Sequence, residues 1–180
     1  MNNFDLEKTL STIVYIFDTR EKKNDHIKAY FERHGIPFKV QKLDEGDYQI
    51  EGKPGRTVDR KQNLQEMYNC VVNDKSRFMK EVRRCYKKHI KLYVLIEHGG
   101  QIKSLADVPK WHPKYGTISS REITERLYRL HISYGVEFIF CDKRSTGKRI
   151  VELLQGRDVS KTLPGDSLSG GKRDFDEYGG

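Results

Sequence analysis

Residues 45–61 constrain the chain more than any other stretch. They read Glu-Gly-Asp-Tyr, then a spacer containing glycine and proline, then Val-Asp-Arg-Lys. The flanks, residues 48–50 and 56–60, have strand character, and the turn signal Gly52-Lys53-Pro54-Gly55 between them predicts a hairpin. Such a hairpin brings Asp47 and Asp59 to one end. Residues i and i+2 of a strand share a face, so Asp59 and Lys61 project to the same side. Two carboxylates with an ammonium beside them form the donor set of a divalent-metal site.

Strands and helices alternate around this hairpin. Residues 12–17 are a β-branched and aromatic run that ends abruptly in Asp18-Thr19-Arg20-Glu21, as a buried strand does at a sheet edge. Asn24 or Asp25 caps a predicted helix carrying Ile27, Tyr30 and Phe31, with Gly35 as its stop. Residues 38–43 alternate apolar and polar, which predicts a half-buried strand leading into the hairpin. After Lys61 the period changes. Leu64, Met67, Tyr68 and Val71 share one helical face behind the cap Asn63, and a second helix is predicted over residues 75–88 with Phe78, Val82 and Cys85 on its apolar stripe. Arg77, Lys80, Arg84 and Lys87 recur at three- and four-residue steps, which collects these cations on a face of their own.

The second half continues the alternation. Residues 92–97 read as a buried strand, and residues 98–119 as a long loop containing the only tryptophan, Trp111. A helix capped at Ser119 or Ser120 and stopped at Gly135, a strand over 136–141 and a helix over 146–154 complete the pattern. From Gly156 the composition turns to Gly, Ser, Asp and Lys. Too little apolar surface remains there to offset ordering entropy, so residues 1–155 read as one domain and residues 156–180 as a disordered tail.

The formal charge of +8 and a sequence pI near 9.3 favour a polyanionic partner. Cys70, Cys85 and Cys141 are dispersed, with no C-x-x-C pair, which argues against zinc and against a disulfide framework. The N-terminus lacks the basic-then-apolar signature of a signal peptide, and no apolar run approaches about 18 residues. An intracellular, soluble protein with no membrane association is expected.

Taken in order, Asp18-Thr19-Arg20-Glu21, Gly46-Asp47-Tyr48 and Asp59-Arg60-Lys61 resemble the nuclease domain of the xeroderma pigmentosum group F endonuclease family, within the PD-(D/E)XK superfamily. That family ends its first strand in D-x-R-E and marks its metal site with G-D followed by E-R-K. With Asp74-Lys75-Ser76-Arg77-Phe78, the helix after it and the strand ending at Glu97, the resemblance covers residues 13–154. The family glutamate of E-R-K is Asp59 here, and Gln65 stands where the pattern E-R-K-x-x-x-D has an aspartate. The tandem helix-hairpin-helix module that members commonly carry is not expected after Leu154.

The resemblance implies an α/β, restriction-endonuclease-like three-layer fold, with a central mixed sheet flanked by helices. It also implies a Mg²⁺-dependent DNA endonuclease, with Mn²⁺ able to substitute. The preferred substrate would be branched, flap or fork DNA in repair or recombination, cut to leave a 5′-phosphate. Asp47 and Asp59 would be metal ligands and Asp18 a third carboxylate. Glu21 would orient a water or a second ion, and Arg20 and Arg60 would contact phosphate or form a buried pair with Glu21. An ordinary lysine has a pKa near 10.4 and two acids raise it, so Lys61 is expected to act as an ammonium that positions the attacking water. Arg77, Lys80, Arg84 and Lys87 form the candidate DNA track. A homodimer or heterodimer through the helices after Ser119 is expected by the same resemblance. Two other function classes compete: a non-catalytic nuclease-fold subunit that pairs with an active partner, and a single-strand-binding module that stacks bases on Tyr and Arg. Retention of Asp47, Asp59 and Lys61 argues against the first of these.

Overall fold

The computed structural model describes residues 13–157; the predicted tail lies almost wholly outside them. Six strands form one mixed sheet: β1 (Tyr15–Phe17), β2 (Phe38–Val40), β3 (Tyr48–Ile50), β4 (Lys53–Lys61), β5 (Lys91–Glu97) and β6 (Glu137–Cys141). Their order is β2-β1-β3-β4-β5-β6. β1–β2, β4–β5 and β5–β6 pair in parallel, whereas β3 runs antiparallel to both β1 and β4. The acidic ends of β1, β4 and β5 and the start of β3 therefore meet at one edge of the sheet.

Helices cover both faces. α1 (Asp25–Arg33) and α5 (Thr146–Leu154) pack on one, and α2 (Leu64–Val71), α3 (Arg77–Lys87) and α4 (Ser120–Tyr134) on the other. Strand alternation divides the core accordingly. Leu95 and Ile139 join Phe17, Phe31, Tyr48 and Ile150 beneath α1 and α5, while Val94, Ile96 and Phe138 join Leu64, Phe78 and Leu127 beneath the other three helices. The result is a three-layer α/β fold.

Asn63 and Ser119 cap where the sequence predicts, whereas Asn24, at the head of α1, makes no side-chain cap bond. Asn63, Ser76 and Ser119 accept the N–H groups of Glu66, Met79 and Glu122, each worth about 1 kcal/mol. Gly135 closes α4 in the left-handed conformation at φ 67°. Two segments differ from expectation. The hairpin turns at Glu51-Gly52, and Pro54 and Gly55 lie within β4. There a two-residue step of β3 faces a five-residue step of β4, because Tyr48 pairs with Val58 and Ile50 with Lys53. A proline with no N–H to donate is tolerated in such a bulge. β2 ends at Val40 because Leu43 is diverted: its N–H donates to Asp18 Oδ1 at 3.3 Å, and its carbonyl accepts Arg20 at 2.6 Å.

Candidate active site

The hairpin does bring the two acids together. The Asp47 N–H donates to the Val58 carbonyl at 2.8 Å, and the Arg60 N–H donates to Asp47 Oδ2 at 2.8 Å. Asp47 is thus fixed beside Asp59 by the backbone of β4. Asp59 and Lys61 share the face toward α2 and α3. The Lys61 ammonium donates to Asp59 Oδ1 and lies 5.2 Å from the centroid of the Phe78 ring. Asp59 and Lys61 are 3% and 7% exposed, so the pair sits at the bottom of the site, shielded from bulk water.

A third acid comes from α3. Glu81 Oε1 accepts the Gly46 N–H at 2.5 Å, which ties the helix to the residue before Asp47. Sequence reading passed over Glu81 among the cations of its helix. The available signal was position, since it is the single acid in α3 and borders the stripe of Phe78, Val82 and Cys85. The site carries more negative charge than its one ammonium offsets. Burial and the neighbouring Asp59 carboxylate push Asp47 well above the usual carboxylate range and Glu81 up to about 7. Burial pulls Lys61 down, but the Asp59 charge, with Cys70 and Asp47 behind it, outweighs burial and raises the ammonium above its ordinary value.

Among the described residues no three His, Cys, Asp or Glu side chains converge closely enough to grip an ion as they lie. The reason is visible in the pairing: Lys61 holds Asp59, and a backbone N–H holds Asp47. The donor set nonetheless fits a hard divalent cation, because it is all oxygen and such a cation relieves the repulsion among its carboxylates.

Arg60 points to the other face of the sheet. Its guanidinium pairs with Glu21 at 2.7 Å and Glu97 at 3.0 Å and donates to the Lys22 carbonyl at 3.0 Å. Glu97 is further held by His26 at 2.6 Å and Thr146 at 2.8 Å. With its side chain 1% exposed, Arg60 is a buried strut and Glu21 is its partner. Of the two roles read for Arg60, the structure takes the buried pair over phosphate contact. Asp18 accepts Arg20 Nε at 2.7 Å and the Leu43 N–H, and these bonds, outweighing burial, hold its carboxyl below the usual range. Its own N–H donates to the Asp47 carbonyl at 2.8 Å. Asp18 and Arg20 therefore brace the end of β1 beside the site.

Arg77, Lys80, Arg84 and Lys87 are exposed along α3, next to Glu81. Arg84 also leans on Glu45 at 3.5 Å. Gln65 is buried and structural: its amide oxygen accepts the Lys114 N–H at 2.8 Å, and its amide nitrogen donates to the Tyr115 carbonyl at 3.2 Å. No helix among the described residues is long and apolar enough to cross a membrane.

Known proteins share the fold. The chain is similar in structure to XPF from Aeropyrum pernix, with a TM-score of 0.61, 17% identity, and coverage of 79% of this chain and 63% of that one. The same holds for XPF from Aeropyrum pernix in a complex with DNA, at 0.61, 17%, 79% and 64%. The chain thus spans less than two thirds of the length of either. No curated protein matches it in sequence. The model of the ERCC4 domain matches residues 17–154, which runs from the last residue of β1 through α5 and takes in every acid of the site, and the chain belongs to the ERCC4 domain family.

Proposed function

We propose that the protein is a Mg²⁺-dependent DNA endonuclease acting on branched, flap or fork DNA, with Mn²⁺ able to replace Mg²⁺. The observation that supports this most is the gathering of the half-buried Asp47 and Glu81 about the buried Asp59–Lys61 pair, at an edge flanked by the cations of α3. Asp47, Asp59 and Glu81 would hold the ion. When bound, it supplies Lewis acidity for attack on a phosphodiester. Lys61, kept protonated by the Asp59 charge beside it, serves as a donor that orients water and steadies charge building on the phosphate. Arg60 and Glu21 hold β4 against β1 from below, and Asp18 with Arg20 fixes the approach loop. Arg77, Lys80, Arg84 and Lys87 would track the backbone phosphates. The complex of a structurally similar XPF with DNA supports the substrate class.

We also infer a dimer through α4, where Ile132 is 78% exposed and Tyr134 meets the exposed Tyr86 edge-on at 5.5 Å. Repair or recombination is the setting such substrates imply.

The test is cleavage of labelled duplex, single-strand, flap and fork DNAs with and without Mg²⁺, by wild type, Asp59→Ala and Lys61→Ala. Metal-dependent cutting lost in both variants is expected. Tight binding with no cutting, unchanged by Asp59→Ala, would instead identify a non-catalytic DNA-binding subunit.

A further inference from the structure

A second pocket opens beside the acids, between α2 and the loop of residues 98–119. Its volume is about 390 Å³, within the roughly 300–1,000 Å³ of small-ligand sites. Its walls are aromatic and its rim is polar: Trp111, Tyr115 and His98 face it together with Asn69, Glu66 and Lys114. Trp111 is held edge-on by Tyr68 at 6.1 Å and by His98 at 6.5 Å. Tyr115 is 62% exposed, although most large apolar side chains of the domain are buried. Burial lowers the His98 pKa, so its ring is neutral at pH 7 and presents a stacking surface.

The loop that carries these rings is pinned. Gln65 holds residues 114 and 115. The Tyr68 hydroxyl accepts the Ile118 N–H at 3.0 Å. Gly116, at φ +130°, passes so close to the Tyr68 ring that a Cβ there would collide with it. A long loop fixed at three points keeps its pocket open without a bound ligand, which lowers the ordering cost of binding. The pocket also adjoins the site. Asn63 is two residues beyond Lys61, and His98 is two beyond Ile96, the register partner of Lys61 in β5.

Flat apolar faces, amide and carboxylate groups at the edge and one cation at the mouth match a nucleobase with its phosphate. A base stacked within a duplex exposes no face to such a pocket. We propose that the pocket takes the unstacked base of an unpaired nucleotide next to the cleaved phosphate, so that Trp111 and Tyr115 read the single-stranded side of a junction. This rests on the nuclease reading above. It gives Gln65 a role as the positioning residue of the base pocket.

Trp111 is the only tryptophan, so its emission reports on the pocket directly. In metal-free buffer, the whole chain is titrated with a fork, the same fork carrying an abasic unit at the unpaired position next to the junction, a fully paired duplex, and free deoxynucleoside monophosphate. The intact fork is expected to quench Trp111, while the abasic fork and the duplex bind without quenching. Quenching by the monophosphate alone, at far higher concentration, also supports the pocket. Tyr115→Ala is expected to weaken fork binding about tenfold, in the range of one lost base–aromatic stack, with duplex binding and thermal melting unchanged. Fork binding with equal emission for intact and abasic DNA, or unaltered by Tyr115→Ala, overturns the base pocket and leaves the nuclease reading standing. Failure of every DNA to bind overturns the nuclease reading, and the pocket with it.

Discussion

Glu81 on α3 accepts the backbone N–H of Gly46 at 2.5 Å, which couples a helix from the middle of the chain to the residue preceding Asp47. Glu81→Gln keeps an acceptor for that N–H and removes the charge. Cleavage is expected to fall about 10- to 100-fold, as loss of a residue near a bound metal typically does. Metal-free melting temperature is expected to rise, because the burial of a charge and its repulsion with Asp59 disappear. Unaltered cutting by a well-folded Glu81→Gln would remove Glu81 from the site.

Gly46 itself carries a steric prediction. At φ +71°, an added Cβ would collide with the Thr57 hydroxyl and come within 3.0 Å of the Val58 carbonyl, whereas Gly52 at φ +70° has open space around it. Gly52→Ala is expected to cost the left-handed backbone penalty alone, about 1–2 kcal/mol. Gly46→Ala should cost clearly more and also reduce activity, since Asp47 must shift. Equal urea midpoints for the two variants would contradict this packing.

Arg60 is the strut beneath the sheet. Arg60→Ala leaves the Glu21 and Glu97 carboxylates buried without their guanidinium, and breaking such a pair costs about 3–5 kcal/mol. Urea denaturation measures this. A loss under about 1 kcal/mol would mean that water enters freely where the structure shows a closed network.

The pH dependence of stability follows from the same acids. Burial and Asp59 move Glu81 up to about 7 in the folded chain, against about 4.3 when unfolded. Between those values the folded state binds more protons than the unfolded state, so stability falls as pH rises. Asp47 is displaced in the same direction. In chelator, the urea midpoint is expected to drop from about pH 4.5 to about pH 7. Glu81→Gln should flatten that slope, and Mg²⁺ should restore stability at the upper end. A midpoint that rises across this window would show that these carboxylates fold ionised.

Much of this was legible in the sequence because local rules and tertiary needs agree. The caps Asn63 and Ser119, the stop at Gly135 and the buried strands β5 and β6 lie where pattern places them. Asp47, Asp59 and Lys61 were also readable, since a hairpin and a two-residue period fix their common end. What escaped depends on contacts between distant segments. Residues 41–43 alternate like a strand, yet Asp18 and Arg20 capture Leu43. Glu81 is tied to Gly46, far from it in the sequence, and the partners of Arg60 come from residues 21–23 and 97. Gln65 departs from a motif in sequence, and its work appears only when residues 114 and 115 are folded against it.

Asp47 and Asp59 are the core of the metal-dependent phosphodiesterase centre proposed above. Its most direct test is single-turnover cleavage of one end-labelled fork in Mg²⁺, comparing wild type with Asp47→Asn and Asp59→Asn at equal DNA occupancy. Cutting by wild type that stops in chelator is expected, with a loss of about 10- to 100-fold in each variant and binding retained. Wild-type rates in either variant, or cutting that persists in chelator, would contradict that reading.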